Sequence, residues 1–211
     1  MKRLAFCLIF FVVIAAGCTT ARAPRYYFLT AAPVSPQANA SRLPVTILVG
    51  RLSAPRILRD DRVVYGMTDV EMGVDEYHRW TEPPTEMIEQ LLVEHLRRSG
   101  QYKSVQRISS TARGDYLLRG HLTSLNERDD PAGIKARFNV QLELFDPKAG
   151  VVVWTDSYSH DEPVDKKTVS AVVEALQKNV NTGIAQLTGS LAQYFASLPQ
   201  NKIADRLTPK G

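Results

Sequence analysis

The chain has 211 residues, with 26 Lys and Arg against 22 Asp and Glu and two cysteines, Cys7 and Cys18. That length suits one domain with a proper core, and two cysteines exclude both a disulfide-built scaffold and a multi-thiolate metal site. No run of five like charges occurs, so nothing in the charge pattern builds a nucleic-acid surface, and no nucleic acid is expected as a partner.

The chain opens on Met1-Lys2-Arg3 and then runs apolar from Leu4 to Ala16. A short basic start followed by a short apolar run is an export leader, and the run is too brief to cross a bilayer core, which takes about 20 helical residues. Ala15-Ala16-Gly17 places small side chains directly before Cys18. A lipoprotein peptidase needs such residues there, and the Cys18 thiol then accepts the lipid. Ala15 stands where the usual pattern has Leu, Val or Ile. The rival site after Ala21-Arg22-Ala23 would leave Pro24 first, a position at which cleavage is generally blocked. Thr19, rather than Asp, follows the cysteine, so nothing marks the protein for inner-membrane retention, and in a cell with two membranes sorting to the outer one is expected. We therefore expect a lipoprotein signal peptide over 1–17, a lipidated tether over 18–24, one domain over 25–198 and a flexible tail over 199–211. Removal of Lys2 and Arg3 leaves 24 basic against 22 acidic side chains, a nearly neutral mature surface.

Within the domain, Tyr26–Leu29 reads as an opening strand and 33–42 as a loop. Val45–Val49 is apolar at nearly every position, the pattern of a central strand covered on both faces. Residues 51–62 are basic and read as a surface excursion. Val63–Tyr65 and Met72–Tyr77 pair as a short hairpin. Pro83-Pro84 opens the first helix, with Thr81 or Thr85 as its cap. Met87, Ile88, Leu91, Leu92 and Leu96 form its apolar stripe, and Gly100 stops it. Asp115–Glu127 reads as a strand with Leu118 and Leu122 on one face and Leu117 and Leu125 on the other. Ile134 to Leu144 alternates apolar and polar, so one face is buried and one wet, and Val151–Ser159 returns antiparallel to it. A long helix over 167–198 follows, weakened in its middle by Asn179, Asn181, Gly183 and Gly189, where a bend is plausible. Two helices on an antiparallel or mixed sheet make an α+β domain, the C-terminal helix being the long one.

Catalytic constellations are sparse. The glycines make no phosphate-cradling loop, no serine sits in a nucleophile elbow, and His78, His95, His121 and His160 form no close metal pair. His160-Asp161-Glu162 is the densest titratable cluster, and a charged strand-to-helix loop explains it better than acid–base work. The paired carboxylates Asp60-Asp61 and Asp129-Asp130 lack calcium-loop spacing and read as solvated turns. No catalytic residue, metal or cofactor is expected. Tyr77, Arg79 and Trp80 are of the types that dominate binding hot spots, so they are candidate partner contacts, with Trp80 equally readable as core.

The order of the lipidation site at Cys18, Tyr26-Tyr27-x-Leu29, the Ile47–Val49 strand, Tyr77-His78-Arg79-Trp80-x-Glu82-Pro83, the hairpin through Phe138 and Trp154 and the long last helix resembles the ABC-type transport auxiliary lipoprotein family. Pro84 stands where that family often has a small or leucine-like residue. The resemblance implies a non-enzymatic lipoprotein on the periplasmic face of the outer membrane, working beside an MCE-domain (mammalian cell entry) system that moves lipids between the two membranes. Its implied partners are an MCE-domain protein and inner-membrane transport components, with the membrane reached through the N-terminal lipid; self-association is left open. The Arg51–Arg62 excursion, the Arg79-Trp80 region and the end of the last helix are the candidate docking faces. A lipoprotein that activates a peptidoglycan synthase or assists envelope assembly is the other reading. A hydrolase built around His160 ranks last.

Overall fold

The computed structural model describes residues 22–33, 42–66, 70–109, 111–131 and 133–199. The expected leader, Cys18 and all but the first residue of the expected tail lie outside the described residues. The elements are β1 (Arg25–Tyr27), β2 (Leu43–Ser53), a 3-10 turn (Arg56–Arg59), β3 (Arg62–Gly66), β4 (Met72–Trp80), α1 (Pro84–Arg98), β5 (Tyr102–Arg107), β6 (Tyr116–Asp130), β7 (Gly133–Asp146), β8 (Val151–Pro163) and α2 (Val169–Ser197). This is the α+β class expected: a mixed eight-stranded sheet with two helices, the last one long.

β6 organises the sheet. β7 runs antiparallel along one edge of β6, and β8 runs antiparallel outside β7. Two strands share the other edge. β2 lies parallel to the first half, from Ile47 opposite Tyr116 to Ser53 opposite His121, and β3 lies parallel to the end, with Tyr65 opposite Glu127. The stretch between β2 and β3 therefore loops out of one continuous line of pairing. That is the expected basic excursion, and Leu58 anchors it in the core. β5 completes the sheet beyond β2, while β4 and then β1 complete it beyond β3. β3 and β4 form the expected hairpin, with Val64 opposite Val74.

Both helices cover one face of the sheet, and their apolar stripes merge with it into one core. Val45, Ile47 and Val49 of β2 face it, whereas on the opposite face, which neither helix covers, Leu48 is the buried apolar residue of that run, so the expected covering of both faces is met by a second layer on one side alone. Phe195, on the last turn of α2, packs edge-on against Tyr102 and Tyr116, so the end of the long helix is spent on the core. On β7, Ala136, Phe138, Val140, Leu142 and Leu144 are buried, as their alternation requires. Cross-strand charge pairs line the other face: Arg119 opposite Glu143 and Arg137 opposite Asp161. Such pairs each add a few tenths of a kcal/mol, up to about 1.

Four expectations need correction. Leu125 faces the core together with Leu118 and Leu122, because the register of β6 slips between Leu122 and Ser124. One extra residue reverses every later side chain. α1 begins at Pro84 with Pro83 in the cap position and no side-chain cap, and Thr85 is buried within the first turn. β8 runs on to Pro163, so His160-Asp161-Glu162 belongs to a strand and not to a loop. The fourth is β5, a strand where no strand is expected. It is short, polar and at the sheet edge, and only Tyr102 and Val105 turn inward. Its outer side is covered by guanidinium groups: Arg42 donates to the carbonyls of Tyr102 and Lys103, and Arg97 to that of Val105. Such capping blocks further strand pairing.

Candidate docking surface at the Arg79–Pro84 turn

Tyr77, Arg79 and Trp80 lie at the end of β4, where the strand is irregular. Between its pairing with Val64 and its pairing with Arg62, β4 carries extra residues. The Asp75 carboxylate closes this bulge, accepting from the backbone amides of Tyr77 and His78 at 2.8 and 2.9 Å. His78 Nδ1 lies 2.9 Å from the other oxygen of that carboxylate. The three candidate residues then part company. Trp80 is 1 % exposed and goes to the core, where its Nε1 has no acceptor among the described residues. Its side chain belongs to the hydrophobic core. Tyr77 remains 41 % exposed, with the Arg22 guanidinium 5.5 Å from its ring centre.

Arg79 faces the looped-out segment. Its Nη1 donates to Asp61 Oδ1 at 2.8 Å, while the Trp80 amide donates to the Asp61 carbonyl. Arg62 grips Asp60 through Nε and Nη2 at 3.2 and 2.7 Å. The Arg62 guanidinium holds the Asp60 carboxyl down to about 2. Both aspartates thus pin the 3-10 turn to β3 and β4. Arg56, Arg59, Asp60, Asp61 and Pro83 line an open depression of about 730 Å³ above them. The geometry offers charge and shape to a partner surface. It offers no nucleophile with an adjacent base.

The other chemical candidates are dispersed. Ser53 Oγ and His121 Nδ1 are 2.8 Å apart on the wet face. His95 sits half-buried on α1, and burial, then the nearby Arg98 charge, lowers its pKa. In the β8 cluster, Asp161 turns to Arg137, which holds it by two bonds of 2.7 Å, whereas His160 Nε2 lies 3.4 Å from Glu162. No group of three or more His, Cys, Asp or Glu that could hold a metal exists among the described residues.

The Arg137 bond lowers the Asp161 pKa. Its stabilisation is therefore present above the unfolded value near 4 and lost as pH falls through the lower folded value. Arg137→Met should remove it. Partial exposure keeps the effect below about 1 kcal/mol at neutral pH. Urea midpoints measured from pH 7 to pH 3 should start apart for the two proteins and converge at the acid end.

The described residues form one α+β domain, and no helix among them is long and apolar enough to cross a membrane. The model of the ABC-type transport auxiliary lipoprotein component family matches residues 27–188, so the chain belongs to that family. The solved structure of a Xanthomonas campestris protein is similar over 82 % of this chain and 97 % of its own, at 22 % identity and a TM-score of 0.74. A second, uncharacterised protein is similar over 80 % of this chain and 99 % of its own, at 17 % identity and a TM-score of 0.61. At these identities the two structures speak for the fold alone. No curated protein matches the chain.

Proposed function

We propose that this chain is a non-enzymatic outer-membrane lipoprotein, a docking component of an MCE-type system that carries lipid across the periplasm. Membership of the transport auxiliary lipoprotein family carries the reading. In it, the signal peptide of residues 1–17 is removed, Cys18 takes the lipid, and residues 25–198 form the docking domain. The lipid holds the domain at the outer membrane, where it receives the far end of an MCE-domain protein whose inner-membrane partners supply the energy. The Arg56–Asp61 turn faces that partner, held in place by Arg79 through Asp61.

The short tether favours this role over activation of a peptidoglycan synthase. Six residues separate Cys18 from Arg25. Fully extended at about 3.5 Å each, they reach roughly 20–25 Å. A domain that works through the cell wall calls for a longer arm.

Cross-linking of the full-length tagged protein in native membranes, followed by mass spectrometry, tests the reading. Recovery of an MCE-domain protein is expected. Recovery of a peptidoglycan synthase without one overturns it. The same preparation reports the intact mass, in which Cys18 should carry its acyl chains and Cys18→Ser should leave the chain unprocessed.

A further inference from the structure

We infer that the β1 edge is a membrane-contacting surface: Tyr26, Phe28 and Tyr77, with Arg22 and Arg25, rest on the phospholipid surface that holds the protein's own anchor. The inference rests on lipidation of Cys18, and it takes Tyr77 from a protein partner to the lipid.

Apolar exposure is the first observation. Tyr26 and Phe28 are 58 % and 62 % exposed, and with Tyr77 they are the exposed aromatic side chains among the described residues. They belong to one corner of the sheet. Tyr26 lies opposite Arg79 in the β1–β4 register, next to Tyr77, and Arg22 covers the Tyr77 ring.

The backbone there is held. Tyr27 and Leu29 turn inward, and the Tyr27 carbonyl accepts from the Thr81 amide at 2.8 Å. Downstream, Asn181 of α2 accepts from the Ala32 amide and donates to the Thr30 carbonyl, at 2.8 and 3.0 Å. Two inward residues thus lock two outward aromatics into water. A folded chain spends that exposure where something covers it.

The covalent chain says what covers it. Arg22 is four residues from Cys18 and Tyr26 is eight. At about 3.5 Å per residue, Arg22 stays within about 14 Å of the lipidated sulfur and Tyr26 within about 28 Å. No other part of the domain is so closely confined. Tyrosine rings favour the headgroup level, and arginines beside them attract anionic headgroups. Aromatics and cations next to an acyl anchor therefore fit a lipid surface better than a protein groove, and they would set the orientation of the docking domain.

The mature chain retains no free thiol once Cys18 is acylated, so single cysteines can be spin-labelled. Phe28→Cys and Tyr26→Cys would be labelled in the lipidated full-length protein, in vesicles of phosphatidylethanolamine with phosphatidylglycerol. Val151→Cys, an exposed position at the start of β8, is the control. The ratio of oxygen to nickel-chelate collision rates should rise at least about threefold over the Val151 label, as for a group at headgroup depth. It should fall back to the control in Tyr26→Cys carrying Phe28→Ser and Tyr77→Ser. Ratios equal to the control in vesicles overturn the inference, as does shielding of the labels from both reagents in detergent once a protein partner is added. Lack of acyl mass on Cys18 overturns both this inference and the anchored reading. Recovery of the wrong partner in the cross-linking experiment overturns the transport reading alone.

Discussion

Replacing Asn179 by leucine should lower the stability of the domain by about 3 kcal/mol or more, since each buried polar group left without a partner costs about 1–3 kcal/mol. Asn179 has no exposed surface. Its Nδ2 donates to the carbonyls of Ala136 on β7 and His160 on β8, each at 2.9 Å, and its Oδ1 accepts from the Tyr158 hydroxyl at 2.8 Å. One side chain in the middle of α2 thereby satisfies three groups of the sheet. Leucine keeps the branched heavy-atom skeleton and none of the hydrogen bonds, so no cavity opens, and the loss combines the orphaned polar groups with some overpacking by the bulkier methyls. Tyr158→Phe, which orphans only the Asn179 oxygen, should cost about 1 kcal/mol. Urea titration followed by tryptophan fluorescence reads both, with the buried Trp80 as reporter. An Asn179→Leu midpoint within error of the parent would show that the network contributes nothing.

One turn further along the same face, Gly183→Ala should also destabilise, by about 1–3 kcal/mol, as overpacking does. A methyl group at Gly183 would lie 2.6 Å from Cδ1 of Tyr158 and 2.9 Å from Cε1 of Phe138, so both rings would have to move. Moving Tyr158 also strains its bond to Asn179, and the two substitutions should not be additive. Gly189→Ala should have the opposite sign. Nothing lies within 4 Å of the methyl there, and an alanine in a helix gains up to about 1 kcal/mol over glycine. Melting temperatures of the two variants should therefore move in opposite directions from the parent. Movement in the same direction would refute the close approach of α2 to the sheet.

These residues mark where sequence reading stops. Asn179, Asn181 and Gly183 are poor helix formers, and by propensity they predict a weak or bent middle. The helix is nevertheless uninterrupted from Val169 to Ser197, and these three poor formers are used in tertiary contact. Asn179 bonds the sheet, Asn181 bonds the Thr30–Ala32 strap and Gly183 admits the Tyr158 and Phe138 rings. Propensities amount to less than about 1 kcal/mol per residue, so a few such contacts overrule them.

The candidate surface divides in the same way. Tyr77, Arg79 and Trp80 stand out by residue type, but residue type cannot say which of three neighbours faces inward. The Asp75-closed bulge at the end of β4 belongs to that local geometry, and Trp80 ends in the core. Tyr26 and Phe28 read as part of a strand, and their exposure follows from the inward packing of Tyr27 and Leu29, a contact with the core that local pattern does not contain.

By itself the sequence determined what is local and repetitive. The alternation of β7, its antiparallel return in β8 and the apolar stripes of both helices follow from periods of two or 3.6 residues and from backbone preferences that act within a few positions. Only the tertiary structure decided how those pieces meet. The slip in β6 that turns Leu125 inward, the shared edge that throws out the Arg56–Asp61 turn and the polar strand β5 all depend on neighbours tens of residues away. Their energies arise from burial and hydrogen bonding between segments, which no local window of the chain contains.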